Sequence, residues 1–213
     1  PQAAQHAAHG RCYNVASVVR AGQVLALYRK QLLPNYREFD ETRYFVEGDQ
    51  TCVFEVAGTQ VGLLICEDAW ASQPARAAKA AGAQLLAVIN ASPYQMGKPE
   101  HREQVLAERV RETGLPLVYA HMVGGQDELV FDGHSFALNA DGSVAARAPG
   151  FEEKLLVTQV EQVQVAIKLI GDVAPLGDTD AQLWHALVLA VSDYLGKTGF
   201  PGAVLGLSGG IDS

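Results

Sequence analysis

The sequence predicts an α/β protein, because short apolar strands alternate with helical segments through its middle part. From residue 60 to residue 122 the pattern is strand, helix, strand, helix, strand, and shorter strands with turn residues flank it. Hydrophobic residues make up 48% of the 213 residues, which is enough for a sizeable buried core. We therefore expect a sheet covered by helices on one face, with further antiparallel strands.

The first part of the chain is predicted to form two β-hairpins. Their strands are residues 12–20 with 23–30, around Ala21-Gly22, and residues 52–56 with 60–65, around Gly58. Between the hairpins, residues 31–50 carry a proline, asparagine and many charges, which predicts a loop. A loop of this length commonly serves a functional site.

The middle part supplies the alternating elements. An alanine-rich helix at 69–81 and a charged amphipathic helix at 98–113 are each followed by an apolar strand, at 84–90 and 115–122. Antiparallel strands are then predicted at 135–139, 143–148 and 154–160.

The last part is predicted to start a second domain. Glycine and proline in residues 170–177 predict a boundary, so we assign domains to 1–163 and 178–213 with a linker at 164–177. Asp178 or Thr179 can cap a helix that runs to about Gly196. Its predicted apolar stripe comprises Leu183, Trp184, Leu187, Ala190, Val191 and Tyr194. A buried strand is expected at 204–207.

Composition excludes several classes of protein. Sixteen basic against 24 acidic residues give a net charge of −8, and no basic block is present that would bind a nucleic-acid backbone. No apolar run is long enough to span a bilayer, and residues 1–10 lack the features of a signal peptide. Three cysteines at irregular spacing do not indicate a disulfide framework. These features predict a cytoplasmic protein that binds neither membranes nor nucleic acid.

The final hexapeptide, Ser-Gly-Gly-Ile-Asp-Ser, predicts a phosphate-binding loop. Small residues after an apolar strand let backbone N–H groups approach phosphate oxygens, and Ser208 and Ser213 add hydroxyl donors. Asp212 cannot donate to phosphate, so it would hold the loop or meet a bridging metal ion. The string resembles the ATP-pyrophosphatase loop, and this resemblance implies that Ser208, Gly209, Gly210, Asp212 and Ser213 bind ATP.

Cys66 is the candidate nucleophile, because it follows a buried strand and precedes a helix. The alternative is a buried structural thiol, since free cysteine is commonly buried. Glu67 and Asp68 would raise the pKa of the thiol, so a reactive Cys66 needs a cationic partner. Lys30, at the end of a predicted strand, can supply that charge.

The context of these residues resembles the nitrilase superfamily. Tyr28-Arg29-Lys30, a loop with proline and glutamate, and then a strand ending in Cys66-Glu67-Asp68 form the pattern. The resemblance implies a four-layer αββα sandwich, incomplete here, with Cys66 as nucleophile, Lys30 as catalytic lysine and Glu38 as a supporting glutamate. It also implies a general-base glutamate upstream of Lys30, and residues 1–29 contain no Asp or Glu.

Longer segments resemble the glutamine-dependent NAD⁺ synthetases over nearly the whole chain. They are YNVASVV from Tyr13, LPNYREFDETRYF from Leu33, NASPYQMGK from Asn90 and VGGQDELVFDGHSF from Val123. The resemblance implies a glutaminase domain followed by the first helix and strand of a Rossmann-like ATP-pyrophosphatase domain. Glutamine, deamido-NAD⁺, ATP and Mg²⁺ would be its substrates and cofactors, and the complete enzyme would be a homo-oligomer. Glutamine would be held by Tyr36, Glu67, Ser92 and Lys98.

Two other functions stay open from the sequence. One is a stand-alone amidohydrolase or carbamoylase, which would not need residues 178–213. The other is a non-catalytic scaffold of the same fold. No metal site is predicted, because His6, His9 and Cys12 supply only three ligands. A start at Pro1 and an end within the phosphate loop suggest a fragment, which we expect to be inactive alone.

Overall fold

The computed structural model describes residues 12–163 and 166–211, so His6, His9, Asp212 and Ser213 lie outside the described residues. In chain order the elements are β1 (Val15–Arg20), β2 (Gln23–Arg29), α1 (Glu41–Tyr44), β3 (Cys52–Val56), β4 (Thr59–Ile65), α2 (Glu67–Trp70), α3 (Ser72–Ala80), β5 (Leu85–Asn90), α4 (Lys98–Thr113), β6 (Leu117–His121), β7 (Val123–Gln126), β8 (Leu129–Asp132), β9 (Phe136–Leu138), β10 (Val144–Arg147), β11 (Gln159–Val163), β12 (Ala166–Ile170) and α5 (Thr179–Thr198).

The centre of the fold is a six-stranded mixed sheet with the spatial order β10-β9-β6-β5-β4-β3. Strands β4, β5 and β6 are parallel, and the antiparallel pairs are β3 with β4, β9 with β6 and β10 with β9. Alternation along β9 sends Phe136 and Leu138 into the cluster that contains residues of α3 and α4, whereas Ala137 enters a second cluster with Ile167 of β12. Each face of the sheet is therefore covered by different elements.

Both predicted hairpins are confirmed. Strands β1 and β2 pair antiparallel, as do β3 and β4. The two turns have similar backbone conformations, since both central residues of each turn, Ala21-Gly22 and Ala57-Gly58, have positive φ. Turns of this kind match the right-handed twist of the paired strands. The first hairpin thereby delivers Lys30, and the second delivers Cys66, to the ends of their strands.

Several predicted elements differ from the structure. The predicted helix at 69–81 is two helices, because Ala71 is extended (φ −91°, ψ 151°) between α2 and α3. The predicted loop at 31–50 contains the short helix α1, and β7 with β8 form a hairpin that we did not predict. The predicted strand at 154–160 becomes β11, which begins only at Gln159.

The segment predicted as a linker is partly ordered against the first domain. Strand β12 lies within 164–177 and buries Ile167 and Leu169, while Ala166 and Lys168 are exposed. Beyond β12, Arg147 donates its backbone N–H to Asp172. Glycine and proline near residue 175 obscured this period-two pattern in the sequence. The domain boundaries themselves stay predictions.

Helix α5 begins after Asp178, whose side chain accepts from the Ala181 N–H, so Asp178 is the cap of the two residues predicted for it. It packs by a face other than the predicted one: Gln182 and Ala186 are buried, whereas Trp184 and Leu187 are exposed. Among the described residues, no helix is both long and apolar enough to cross a membrane.

The strand predicted at 204–207 is absent, and the side chains of Val204, Leu205 and Leu207 are exposed. An apolar run becomes a strand only where another strand pairs with it. The described residues contain no such partner for this segment, so the predicted Rossmann-like unit is not formed by them.

Gly62 on β4 sets how closely α3 approaches the sheet. A Cβ at this position would lie 2.9 Å from the Ala78 Cβ and 3.1 Å from the Ala83 Cβ. We expect Gly62→Ala to destabilise the fold by about 1–3 kcal/mol through overpacking. Thermal unfolding measures this change, and Gly206→Ala, at a glycine with open space around the new Cβ and no left-handed φ, serves as the control. Equal melting temperatures for Gly62→Ala and the parent would contradict the tight packing.

Candidate functional site

Cys66 occupies a strained turn between β4 and α2. Its backbone has φ 48° and ψ −109°, a conformation that costs a non-glycine residue of the order of 1–3 kcal/mol. The turn is held on both sides, because the Cys66 N–H donates to Ile89 O at 2.9 Å and the Ala69 N–H donates to Cys66 O at 2.9 Å. The sharp bend places the side chain at the end of a parallel strand, ahead of the first helical N–H groups.

Lys30 lies at the end of β2 and is 1% exposed. Its Nζ is 2.6 Å from Glu41 Oε1, so the buried ammonium has a carboxylate partner. The structure thus places Glu41, instead of the predicted Glu38, on the lysine. The physical reason is helix α1, which turns the chain after Asp40 and brings Glu41 back toward β2. The Phe39-Asp40-Glu41 sequence, with Asp40 before a short helical stretch, was the signal that could have indicated this turn.

The surroundings of Cys66 shift the pKa of its thiol in opposite directions. Burial raises its pKa to about 11, the Lys30 charge lowers it, and Glu67 and Glu41 raise it. A hydrogen bond from the Glu67 backbone N–H to the thiol also lowers the pKa. The Glu67 N–H therefore lies within hydrogen-bonding distance of the thiol. Asp68, which we expected to raise the thiol pKa, is not among the groups that shift it most.

Cys66 separates two cavities. The larger, of about 570 Å³, is lined by all four predicted glutamine-binding residues. Its walls include Tyr36, Glu38, Cys66, Glu67, Ser92 and Lys98. The smaller, of about 200 Å³, is lined by Asn14, Lys30, Glu41 and Cys66. Cys66 is therefore common to both cavities, with Lys30 on the side of the smaller one and the predicted glutamine-binding residues on the side of the larger one.

The large pocket contains fixed charges of both signs. Tyr36 donates to the Glu67 carboxylate at 3.0 Å, and Arg37 donates to Gln95 Oε1 at 3.0 Å. Lys98 begins helix α4 and donates to Pro93 O at 3.0 Å. Burial lowers the pKa of Lys98, and the charge of Glu38 is the main effect that raises it.

Ser92 is fixed by buried neighbours that the sequence did not single out. Its Oγ accepts from Asn90 Nδ2 at 2.9 Å, and its backbone N lies 3.3 Å from His121 Nε2. The other ring nitrogen of His121, Nδ1, is 2.9 Å from Gly133 O. Burial, with a further contribution from Arg102, lowers the pKa of His121 to about 3, so the ring is neutral. Donation from Nδ1 to Gly133 leaves Nε2 to accept from Ser92.

The structure describes residues 208–211 of the predicted ATP loop. The Gly210 N–H donates to Ser208 Oγ at 3.2 Å, and Gly209 has φ 83°. Within the described part of the chain no strand or helix adjoins residues 208–211, and these residues are exposed. A phosphate cradle needs several N–H groups aimed at one point beside a helix N-terminus. The assignment of Ser208, Gly209 and Gly210 to ATP binding stays a prediction, and Asp212 and Ser213 lie outside the described residues.

Comparison with known proteins assigns most of the chain to one family. The carbon-nitrogen hydrolase family matches residues 2–167. The chain is 48% identical over 204 residues to the glutamine-dependent NAD(+) synthetase of Acinetobacter baylyi, covering 96% of this chain and 38% of that protein. It is 47% identical to the enzyme of the same name from Xanthomonas campestris pv. campestris, with 94% and 37% covered. The chain thus spans well under half the length of these curated relatives.

Solved structures agree with this assignment. The glutamine-dependent NAD⁺ synthetase from Acinetobacter baumannii, in complex with ADP, superimposes with a TM-score of 0.92 at 42% identity, covering 98% of this chain and 40% of that one. An amidase from Nesterenkonia sp. gives a TM-score of 0.59 at 33% identity, with 67% and 52% covered. A variant of that amidase carries a covalent adduct at its active-site cysteine. The nitrilase-like α/β fold is confirmed, and the chain belongs to the carbon-nitrogen hydrolase family.

Proposed function

We propose that this chain is part of a glutamine-hydrolysing NAD⁺ synthetase and contributes the site that releases ammonia from glutamine. The observation that carries the proposal is the placement of Cys66. Its thiol lies beside a buried lysine on one side and a pocket with charges of both signs on the other. The similarity to named NAD(+) synthetases over 94–96% of the chain supports the same function.

The chemistry follows from the groups at the site. The Cys66 sulphur attacks the glutamine side-chain amide, and the carbonyl π electrons move to oxygen. Lys30 and the Glu67 N–H stabilise that oxyanion. Collapse of the adduct expels ammonia after the nitrogen gains a proton. Water then cleaves the thioester to give glutamate and restore the thiol. Glu41 takes the supporting position that the sequence assigned to Glu38, since it neutralises the buried Lys30.

A proton acceptor is still required, because burial keeps the thiol protonated at neutral pH. With a pKa of about 11, roughly one thiol in 10⁴ is ionised at pH 7. We propose that an upstream glutamate of the complete protein reaches the thiol through the cavity lined by Asn14, Lys30 and Glu41.

The substrate pocket fits a zwitterionic amide. Lys98 at the N-terminus of α4 would bind the α-carboxylate, helped by the helix dipole. Glu38, Glu67 and Tyr36 would receive the α-ammonium group, and Ser92 would contact the substrate from the buried side. In this arrangement Glu38 selects substrate and does not act on Lys30.

The remaining steps are proposals for the whole protein. Ammonia would reach a second site, where ATP with Mg²⁺ activates deamido-NAD⁺, and NAD⁺, AMP and pyrophosphate would form. Residues 178–213 would open that second domain. The ADP held by the related Acinetobacter baumannii enzyme supports ATP as the nucleotide. A cytoplasmic homo-oligomer without nucleic-acid partners stays a prediction.

Activity of the protein encoded by the complete reading frame tests the proposal. We expect NAD⁺ to form from ATP and deamido-NAD⁺ with either glutamine or ammonium chloride as nitrogen source. If NAD⁺ formed with ammonium chloride but not with glutamine, the glutaminase assignment would be wrong. Hydrolysis of simple aliphatic amides without any NAD⁺ formation would favour the stand-alone amidohydrolase, in line with the amidase neighbours.

The assignment of Lys98 predicts a change in substrate affinity. We expect Lys98→Met to raise the KM for glutamine about 10- to 100-fold at similar kcat, because a charged hydrogen bond contributes about 1.5–3 kcal/mol. The KM for 4-aminobutanamide, which lacks the α-carboxylate, should not change. Lys154→Met, at an exposed position, serves as the control. Equal increases in KM for both amides would show that Lys98 does not bind the carboxylate.

A further inference from the structure

Asp68 links the two halves of the active site. It is 0% exposed and lies two residues after Cys66, within α2. Its carboxylate nevertheless accepts hydrogen bonds mainly from the chain around Lys30. We propose that Asp68 is a positioning residue that sets the placement of the Lys30 ammonium relative to the Cys66 thiol. The proposal rests on the proposed role of Cys66 as the nucleophile.

Three of the four donors to Asp68 flank Lys30 in the sequence. Tyr28 Oη donates to Oδ2 at 2.8 Å, and the Leu32 N–H donates to Oδ1 at 2.8 Å. The Gln31 N–H contacts both oxygens, at 3.2 and 3.4 Å. One buried carboxylate therefore holds the residues before and after Lys30.

The backbone of Lys30 itself is held by other groups. Its N–H donates to Asn14 O, and its carbonyl accepts from the Gly48 N–H, both at 2.8 Å. These bonds fix Lys30 within its own neighbourhood, but neither reaches the Cys66 turn. Among the hydrogen bonds of the described residues, those of Asp68 join the β2 end to α2 directly.

Asp68 also contacts the strained turn that contains Cys66. Asp68 Oδ2 lies 3.4 Å from the Ile65 N, next to Cys66, and the short helix α2 starts directly after Cys66. A turn in an unfavourable conformation persists only when its surroundings determine it. Asp68 is thus part of the frame that holds the nucleophile as well as the lysine.

The distance between the Lys30 ammonium and the Cys66 thiol determines how strongly the lysine acts on the thiol. Lys30 is the main group that lowers the pKa of the Cys66 thiol, and a Coulomb effect weakens as charges separate. Lys30 is also a proposed oxyanion donor, and a misplacement of about 1 Å can reduce a rate about 100-fold. Losing the Asp68 connection should therefore slow the chemical step without removing any group that contacts glutamine.

The test compares Asp68→Ala with Asp68→Asn in the complete protein. Alanine removes every acceptor, whereas the asparagine amide can accept from Leu32 and donate to the Tyr28 oxygen. We expect Asp68→Ala to lower kcat for glutamine at least about tenfold at nearly unchanged KM. Asp68→Asn should recover most of that loss. The pH profile of Cys66 alkylation by iodoacetamide, followed by mass spectrometry, should move to higher pH in Asp68→Ala and stay close to that of the parent in Asp68→Asn.

Controls separate positioning from general stability. Asn139→Ala removes a comparable side-chain clamp, the pair of bonds between Asn139 and Leu169, and should lower the melting temperature without changing the alkylation profile. If Asp68→Ala does not fold, Tyr28→Phe removes the 2.8 Å bond alone and should shift both readouts in the same direction by a smaller amount.

Three outcomes would overturn the proposal. The first is unchanged kcat and alkylation per folded molecule in Asp68→Ala, which leaves only a structural role. The second is Asp68→Asn behaving like Asp68→Ala, which would assign the effect to charge instead of hydrogen bonds. The third is an unaltered profile in Tyr28→Phe when Asp68→Ala cannot be purified. Alkylation does not require glutaminase activity, so failure of the proposed function would be distinguishable as an inactive parent with a responsive thiol.

Discussion

Replacing Cys66 by alanine should abolish glutamine-dependent NAD⁺ formation while ammonium-dependent formation persists. Without the sulphur no thioester can form, and loss of a nucleophile commonly reduces turnover by about 10³-fold or more. The ammonium reaction should stay within about twofold of the parent, because it bypasses the first site. Both rates are measured on the complete protein, as NAD⁺ formed at saturating ATP and deamido-NAD⁺.

Cys52 provides the matched control. It is a second buried cysteine, on β3, and burial raises its pKa too, but it does not line the cavities around Cys66. Cys52→Ala should therefore retain both nitrogen sources at some cost in stability. Glutamine-dependent NAD⁺ formation surviving in Cys66→Ala would identify Cys66 as a structural thiol, the alternative left open by the sequence.

The positions of Cys66 and Lys30 were predictable because each follows the second strand of a hairpin with a clear turn signal. Strands β2 and β4 belong to different sheets, so the approach of the two residues depends on tertiary packing. The bounds of α4 were also predicted correctly, because local sequence signals mark both ends of this helix. Glycine stands on each side of this helix in a left-handed conformation, at Gly97 and Gly114, so the helix is delimited locally.

Glu41 shows why the rest of the site was harder to predict. The resemblance gave a spacing from Lys30 but no geometry, and α1 has only four residues, too short for periodicity to reveal. The contribution of His121 was hidden for another reason. Its contacts with Gly133 and Ser92 join residues 12 and 29 positions away, and such distances carry no sequence pattern.

The packing face of helix α5 could not be predicted from the spacing of its apolar residues. Its apolar side chains occupy more than one face, so the pattern did not identify the face that packs on the domain described here. Polar contacts decide instead: Gln182 donates to Glu100 at 3.0 Å, and Asp193 accepts from the Gly125 N–H at 2.7 Å. Pairs of this kind depend on tertiary structure, and hydrophobic periodicity cannot indicate them.

The second large effect is expected at a buried ion pair that joins α4 to β8. Arg102 of α4 forms two bonds of 3.1 Å to Asp132 of β8, and the side chains are 1% and 0% exposed. Burial alone would raise the pKa of Asp132. Hydrogen bonds from His134 and Arg102 nevertheless hold this pKa well below its usual value. Asp132 is therefore ionised at neutral pH and depends on these partners.

Removing one partner leaves a buried charge without compensation. We expect Arg102→Met to destabilise the protein by about 3–5 kcal/mol, and Asp132→Asn to be destabilising as well. Changing both residues together should cost less than the sum of the single changes, because no isolated charge remains. Urea unfolding, with a probe confined to α4 such as amide hydrogen exchange, measures the difference for this domain without assuming that the whole protein unfolds at once.

The same pair should influence the pocket. Helix α4 carries Lys98 at its first turn and Arg102 one turn later, so releasing Arg102 from Asp132 frees the segment that presents the proposed carboxylate contact. Arg109→Met provides the control, since Arg109 sits on the same helix and pairs with Glu112 nearer its C-terminal end. We expect that variant to lose at most about 1 kcal/mol, as is usual for pairs that remain partly exposed. Additive losses for Arg102→Met and Asp132→Asn would show that the two charges do not stabilise each other.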